Sequence, residues 1–174
     1  MSAASEQWTR KYAGSHNNGR LAIRTLCKNP SILLVRNKNK DGWEIPGGEQ
    51  ENLREPLLTT AKRETLEETG LNFFHPSHKP IFTIKRSASE IYVFYFHFWY
   101  DNDDGGHAKR MHVFKRRKHK HETSDYGFVV QENGKFVVKN FSQTELKPNH
   151  PEVFTPGTWS TLKSLSDAGF FSPV

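Results

Sequence analysis

"REPLLTTAKRETLEETGL", Arg54–Leu71, carries Glu55, Glu64, Glu67 and Glu68, and three of these carboxylates fall in its last eight residues. Pro56 suits a first helical turn and Gly70 suits the end of a helix, while Leu58, Ala61 and Thr65 recur at +3 and +4 as a packing stripe. The spacing predicts a helix, with positions 64, 67 and 68 related by i, i+3 and i+4. Their side chains therefore share one face, with Cβ atoms about 5–6 Å apart. An exposed like-charged pair at this spacing costs roughly 0.2–0.5 kcal/mol. Lys or Gln would avoid that cost, and a bound cation would remove it.

Strands surround this helix. "GRLAIRTLC" and "SILLVR" are β-rich runs separated by "KNP", and "NKNKDG" follows as a turn. Downstream, "IFTIKR" and "EIYVFYFHFWY" read as strands, the second apolar on both faces and so expected between two layers. "YGFVVQENGKFVVKNF" reads as a hairpin around Asn133-Gly134. "TPGTWSTLKSLSDAGFF" predicts a C-terminal helix with Trp159, Leu162 and Leu165 as its stripe. Phe170-Phe171 either closes the core or forms an oligomer contact. The order β–β–α–β–β–β–β–α, without internal repeats, predicts a mixed sheet flanked by helices.

The 174 residues suit one domain spanning 1–174, with 1–18 as a flexible N-terminal segment and 101–125 as a basic loop or insertion. Hydrophobic residues make up 34% and aromatics 13%, enough for a core and against a disordered chain. Cys27 is the only cysteine, which excludes an intramolecular disulfide and a Cys-rich zinc site; a reducing compartment is the simpler expectation. The His residues form no H-x-x-x-H pair on a predicted helix, so a His-based zinc site has little support. The N-terminal residues carry no apolar signal region, and no run approaches the ~18–20 apolar residues of a membrane span. The expected setting is cytoplasmic with no membrane partner, or nuclear if "KRRKHK" acts as an import patch. Net charge is +6, and "HAKRMHVFKRRKHKH", His107–His121, holds seven Lys or Arg and no acid. The excess is thus one local segment.

The stretch "GGEQENLREPLLTTAKRETLEETGL" resembles the signature of the Nudix hydrolases, G-x5-E-x7-R-E-U-x-E-E-x-G-U with U aliphatic. Glu55, Arg63-Glu64, Glu67-Glu68, Gly70 and Leu71 fall in register, after the "WEIPGG" that commonly precedes the family's loop. Two positions depart. Six residues instead of five separate Gly48 from Glu55, which should shift the loop but not the helix. Thr65 takes an aliphatic position, where its hydroxyl is expected to bond the Ala61 carbonyl. The resemblance implies an α/β fold of the mixed α+β kind: the Nudix fold, an α/β/α sandwich with a mixed β-sheet and a catalytic loop-helix-loop.

It also implies chemistry. A diphosphate linkage carries charge that repels nucleophiles, so its hydrolysis calls for divalent cations that neutralise the oxygens and acidify a water. Hard Mg²⁺ or Mn²⁺, two or more ions, takes oxygen ligands. The resemblance assigns Glu64, Glu67, Glu68 and a carbonyl of the Gly47-Gly48 loop, represented by Gly47, as ligands. Arg63 would pair with Glu55 and hold loop to helix. An acid outside the box usually joins, and "HETSDYGFV" offers Glu122; either Glu64 or Glu122 would serve as general base. Trp43 is expected to pack under the loop.

For substrate, Arg36 and the run Lys115, Arg116, Arg117 are candidates to meet phosphates, with a simple exposed strand-end arginine as the equal alternative for Arg36. The run would form a positive rim favouring several phosphates; a solvated loop is the alternative. Only Phe114 could stack on a base there. Arg86 and Ser87-Ala88-Ser89 stand where ADP-ribose and dinucleoside polyphosphate hydrolases carry marker Pro and Tyr residues, and "SQTELKP" shares only two residues with the SQPWPxS array of NADH hydrolases. The expected function is a metal-dependent pyrophosphohydrolase acting on a nucleotide or other anionic, phosphate-rich small molecule. An mRNA-decapping or RNA 5′-pyrophosphohydrolase acting on an RNA 5′ end is the narrower alternative, and a non-catalytic Nudix-fold module binding nucleic acid or a partner is the second. The oligomeric state stays open.

Overall fold

The computed structural model describes residues 16–26, 30–37, 42–70, 76–85, 89–99, 123–140 and 154–173. In chain order the elements are β1 (Asn18–Leu26), β2 (Ser31–Asn37), β3 (Trp43–Glu44), β4 (Gly47–Glu49), α1 (Leu57–Thr69), β5 (Phe82–Lys85), β6 (Glu90–Trp99), β7 (Thr123–Glu132), β8 (Lys135–Asn140) and α2 (Pro156–Asp167). The strands form one sheet in the order β5-β6-β1-β2-β7-β8. Among the described strands β1 and β6 run parallel, with Asn18 opposite Ile91 and Leu26 opposite Trp99; the other named strand pairs are antiparallel.

Strands β1 and β2 pair only at Arg24–Ile32 and Thr25–Ser31, then part. β4 fills one side of the opening, opposite Asn18–Arg20 of β1, and β3 fills the other, opposite Val35–Arg36 of β2. This fork sets the Gly47-Gly48 backbone beside α1. Gly19 and Gly47 allow the close approach: a Cβ on Gly19 would collide with the Leu57 carbonyl, and one on Gly47, at φ +150°, would collide with the Gly19 carbonyl.

Period-two alternation sends side chains into two cores. Leu21, Ile23, Leu33, Val35, Tyr92, Phe94, Tyr126 and Phe128 pack with Leu57 and Ala61 of α1. On the other face Ala22, Ile32, Leu34, Trp43, Val93 and Val129 pack with Leu162 and Leu165 of α2. The result is the expected α/β/α sandwich. The expected hairpin is present, with Asn133 at φ 52° and Gly134 at φ 76°. Phe170 is buried in the second core and Arg24 donates to its carbonyl (Nε to O, 2.7 Å), so this residue closes the core. Among the described residues no helix is long and apolar enough to cross a membrane.

Four expectations are corrected. Pro56 precedes α1 as its N-cap instead of forming its first turn. The buried residues of α1 are Leu57, Thr60, Ala61, Thr65 and Thr69, with Leu58 only half-buried. Thr65 does not bond the Ala61 carbonyl: its buried Oγ1 has no hydrogen-bond partner. Only some Thr rotamers reach back one turn; here Thr69 makes that bond, donating to the Thr65 carbonyl at 2.7 Å. Trp159 is half exposed with the Lys163 ammonium over its ring, because the buried stripe of α2 is Thr158, Thr161, Leu162 and Leu165.

Candidate active site

Arg63 gathers most of the acidic face. It donates from Nε to Glu55 Oε2 (3.1 Å), from Nη2 to Glu55 Oε1 (2.9 Å), from Nη1 to Glu64 Oε1 (2.8 Å) and from Nη2 to the Glu49 carbonyl (3.1 Å). Glu67 Oε2 lies 3.7 Å from Nη1, one turn along. The two-pronged pairing with Glu55 is the fork geometry a planar guanidinium favours. Burial raises the Glu55 carboxyl, but hydrogen bonds from Arg63, Thr60 and the Glu51 backbone outweigh it and leave the group below its ordinary 4.5. The Arg63 guanidinium is held charged still more firmly than usual, first by Glu55. Part of the like-charge cost on α1 is thus met by an arginine of α1 itself.

The longer loop is absorbed locally. Arg54 N–H donates to Asn52 Oδ1 (2.9 Å) and Glu55 N–H to the Asn52 carbonyl (3.2 Å), a tight turn that takes up the additional residue. Buried Gln50 donates Nε2 to the Glu55 carbonyl (2.8 Å) and accepts the Asn17 N–H on Oε1 (3.1 Å). Glu55 therefore reaches Arg63 despite the insertion.

Glu68 turns the other way. Its Oε1 accepts the Gly47 N–H at 2.8 Å, and Glu64 lies against Gly48, where a Cβ would come within 2.6 Å of the Glu64 carboxyl carbon. Burial pushes the Glu68 carboxyl up to about 8, against the charge of Arg20 and the Gly47 hydrogen bond, with Glu44 and Glu64 raising it further. Arg20 donates from Nη1 to the Ile45 carbonyl (2.7 Å) and lies 3.7 Å from Glu44 Oε2, bracing the fork beneath Gly47.

The structure thus brings Glu64 and Glu68 together against Gly47-Gly48, and places Glu67 beside Arg63. Among the described residues no three Asp, Glu, His or Cys side chains converge on a single point, since Glu64 and Glu67 face Arg63 while Glu68 faces Gly47. The donor set is nonetheless all oxygen and on one helical face, and it fits a hard divalent cation in kind. Arg36 is exposed at the end of β2, 5.9 Å from the centroid of the Trp43 ring and opposite Asp125. Alternation from Val35 places it on the α2 face, away from the carboxylates. Trp43 is buried. Glu122, Lys115, Arg116 and Arg117 lie outside the described residues.

Sequence reading missed Glu44, Arg20, Gln50 and Tyr126, whose hydroxyl donates to the Glu68 carbonyl at 2.8 Å. Glu44 had a signal: with Trp43 and Ile45 turned to the α2 core, alternation sends it to the α1 face. The other three depend on contacts between distant segments, for which a local pattern has no trace.

With the fork, the Gly47-Gly48 loop and the carboxylate helix assembled, the class is defined. The family model of the NUDIX domain matches residues 18–165, and the chain belongs to the Nudix family, hydrolases of phosphoric anhydride bonds. The NUDIX domain of Shewanella oneidensis NrtR, solved with ADP-ribose, is similar with a TM-score of 0.54 at 14% identity, over 97% of this chain and 99% of that one. The Bacillus subtilis pyrophosphohydrolase BsRppH matches with a TM-score of 0.48 at 18% identity, over 92% and 87% of the two chains. A Nudix hydrolase from Nitrosomonas europaea matches with a TM-score of 0.47 at 19% identity, over 91% and 93%. At 14% identity the likeness to the NrtR domain is one of fold. No curated protein sequence matches the chain at a significant level.

Proposed function

We propose that this chain is a metal-dependent pyrophosphohydrolase that cleaves a diphosphate linkage in a nucleotide or another polyphosphate. The observation that carries the reading is Glu68, a buried carboxyl held by the Gly47 N–H beside Glu64 and pushed up to about 8. An acid kept in such a place costs stability unless a cation joins it. Glu64, Glu67, Glu68 and the Gly47 carbonyl would hold Mg²⁺ or Mn²⁺, two or more ions, with Glu122 joining them. When bound, such ions neutralise phosphate oxygens and make a water acidic enough to attack at neutral pH. Arg63 orients the helix carboxylates through Glu55, the Gly47-Gly48 backbone fixes Glu68, and Glu64 or Glu122 accepts the proton of the attacking water. ADP-ribose, the ligand of the NrtR domain, belongs to the same class of diphosphates.

The finer substrate reading rests on "KRRKHKH", five Lys or Arg and two His in seven residues. Such a run favours a substrate with several phosphates, including the 5′ end of an RNA. The test is product release from ADP-ribose, dinucleoside polyphosphates, nucleoside triphosphates, diphosphoinositol polyphosphates and capped RNA, with Mg²⁺ or Mn²⁺ and with a chelator. Turnover of one compound that stops with the chelator supports the enzyme. Turnover of none, with ligand binding retained, favours the non-catalytic module. The RNA reading requires that neutralising Lys115–Lys120 lower RNA turnover and that long RNA compete; unchanged RNA turnover in that variant rejects it.

A further inference from the structure

We propose that Tyr126 is a positioning residue for Glu68, fixing the main chain of the buried carboxylate so that its side chain stays aimed at the Gly47-Gly48 loop. The inference rests on reading Glu68 as a metal ligand. A helix leaves its last four carbonyls without partners inside the helix. In α1 two carbonyls near the end are met locally: Leu66 O accepts the Gly70 N–H at 2.8 Å, and Thr65 O accepts the Thr69 hydroxyl at 2.7 Å. The Glu68 carbonyl is met from the sheet, by the Tyr126 hydroxyl at 2.8 Å.

That hydroxyl is well anchored. Tyr126 is 1% exposed, sits in the core beneath α1 and pairs with Val35 across the middle of the sheet. Glu68 is consequently held at two points by two strands: its carbonyl by Tyr126 of β7 and its carboxylate by the Gly47 N–H of β4 at 2.8 Å. The backbone bond fixes where the side chain starts, and the Gly47 bond fixes where it ends. Strand β7 begins at Thr123, directly after Glu122, so the same hydroxyl ties the box helix to the strand that follows the acid proposed from outside the box. Partners that orient ligands without touching the metal typically contribute about 10–100-fold to metal affinity or activity.

Tyr126→Phe deletes one oxygen and leaves the packed ring. Mn²⁺ binding is measured from the free-ion electron paramagnetic resonance signal in wild type, Tyr126→Phe, Thr69→Val and Glu68→Gln, under conditions where circular dichroism shows all four folded. Thr69→Val is the control, because it removes from the same helical turn a buried hydroxyl that bonds the Thr65 carbonyl. We expect Tyr126→Phe to bind Mn²⁺ roughly tenfold more weakly, with Thr69→Val binding as wild type. A matching rise in the Mn²⁺ needed for half-maximal turnover, with KM for substrate unchanged at saturating Mn²⁺, supports the same conclusion. Wild-type affinity in Tyr126→Phe, or an equal loss in Thr69→Val, overturns the positioning role while leaving Glu68 as a ligand. Equal Mn²⁺ binding by wild type and Glu68→Gln, or binding by neither, overturns the ligand reading and this inference with it.

Discussion

Thr65 and Glu68 lie one turn apart on α1, and both put polar atoms into a buried place. The Thr65 hydroxyl has no hydrogen-bond partner and its side chain is fully buried, so Thr65→Val should stabilise the protein by about 1 kcal/mol. That corresponds to a rise of roughly 2–4 °C in Tm, read by thermal unfolding. Glu68 shows the same conflict in charged form. Its folded-state carboxyl is raised, by burial first, from 4.5 to about 8, so the metal-free native state holds a proton that the unfolded chain releases. Metal-free stability should therefore fall as pH rises from about 4.5 to about 8, and Glu68→Gln should flatten that slope in urea titrations. Glu55 runs oppositely: with its folded value below 4.5, its contribution is present above 4.5 and is lost as pH falls through that lower value. Glu55→Gln should remove that part of the acid limb. Glu55 and Arg63 were legible together only through the resemblance to the Nudix signature, in which both hold fixed positions. Thr65 was half legible: its burial followed from the helical period, but its rotamer is decided by neighbours.

At the scale of elements, the chain's punctuation carried far. Gly70, in the left-handed region at φ 71°, ends α1, and Asn133-Gly134 turns the β7–β8 hairpin. Strands β3 and β4 were not legible, since two or three residues are too few to show a period. They nevertheless build the fork that brings Gly48 to Glu64. Gly48→Ala would press a Cβ within 2.6 Å of the Glu64 carboxyl carbon, the mobile end of a side chain. The expected outcome is lost turnover with a small change in Tm, whereas Gly47→Ala meets backbone and should lower Tm sharply. In α2, spacing by three placed Leu162 and Leu165 in the core, while Trp159 lies at the exposed edge of that stripe. Leu162→Ala should cost about 2–5 kcal/mol and Trp159→Ala less than about 0.5 kcal/mol. Urea unfolding of the two variants compares them directly.

The described residues form a mixed sheet between two helices, with the acidic site where the sheet forks, and in the sequence the longest basic run, 107–121, falls well after the box. The order of the longer strands was readable because each carries its own alternation or apolar run. The parting of β1 from β2 was not, because it depends on which distant backbone fills the gap. Charge at this scale shapes function more than fold: Arg63 meets only part of the acidic face, and a bound cation would balance the rest. Mg²⁺ or Mn²⁺ should accordingly raise the Tm of wild type, and Glu68→Gln should lose most of that gain. The most direct test of the central claim is product release from a diphosphate substrate at saturating Mg²⁺, comparing wild type with Glu68→Gln and recording the metal-free Tm of each. Loss of a ligand should exceed the cost of losing its supporting partners, so turnover should fall more than about 100-fold while the metal-free Tm holds or rises. A Glu68→Gln variant that turns over substrate like wild type would contradict the account.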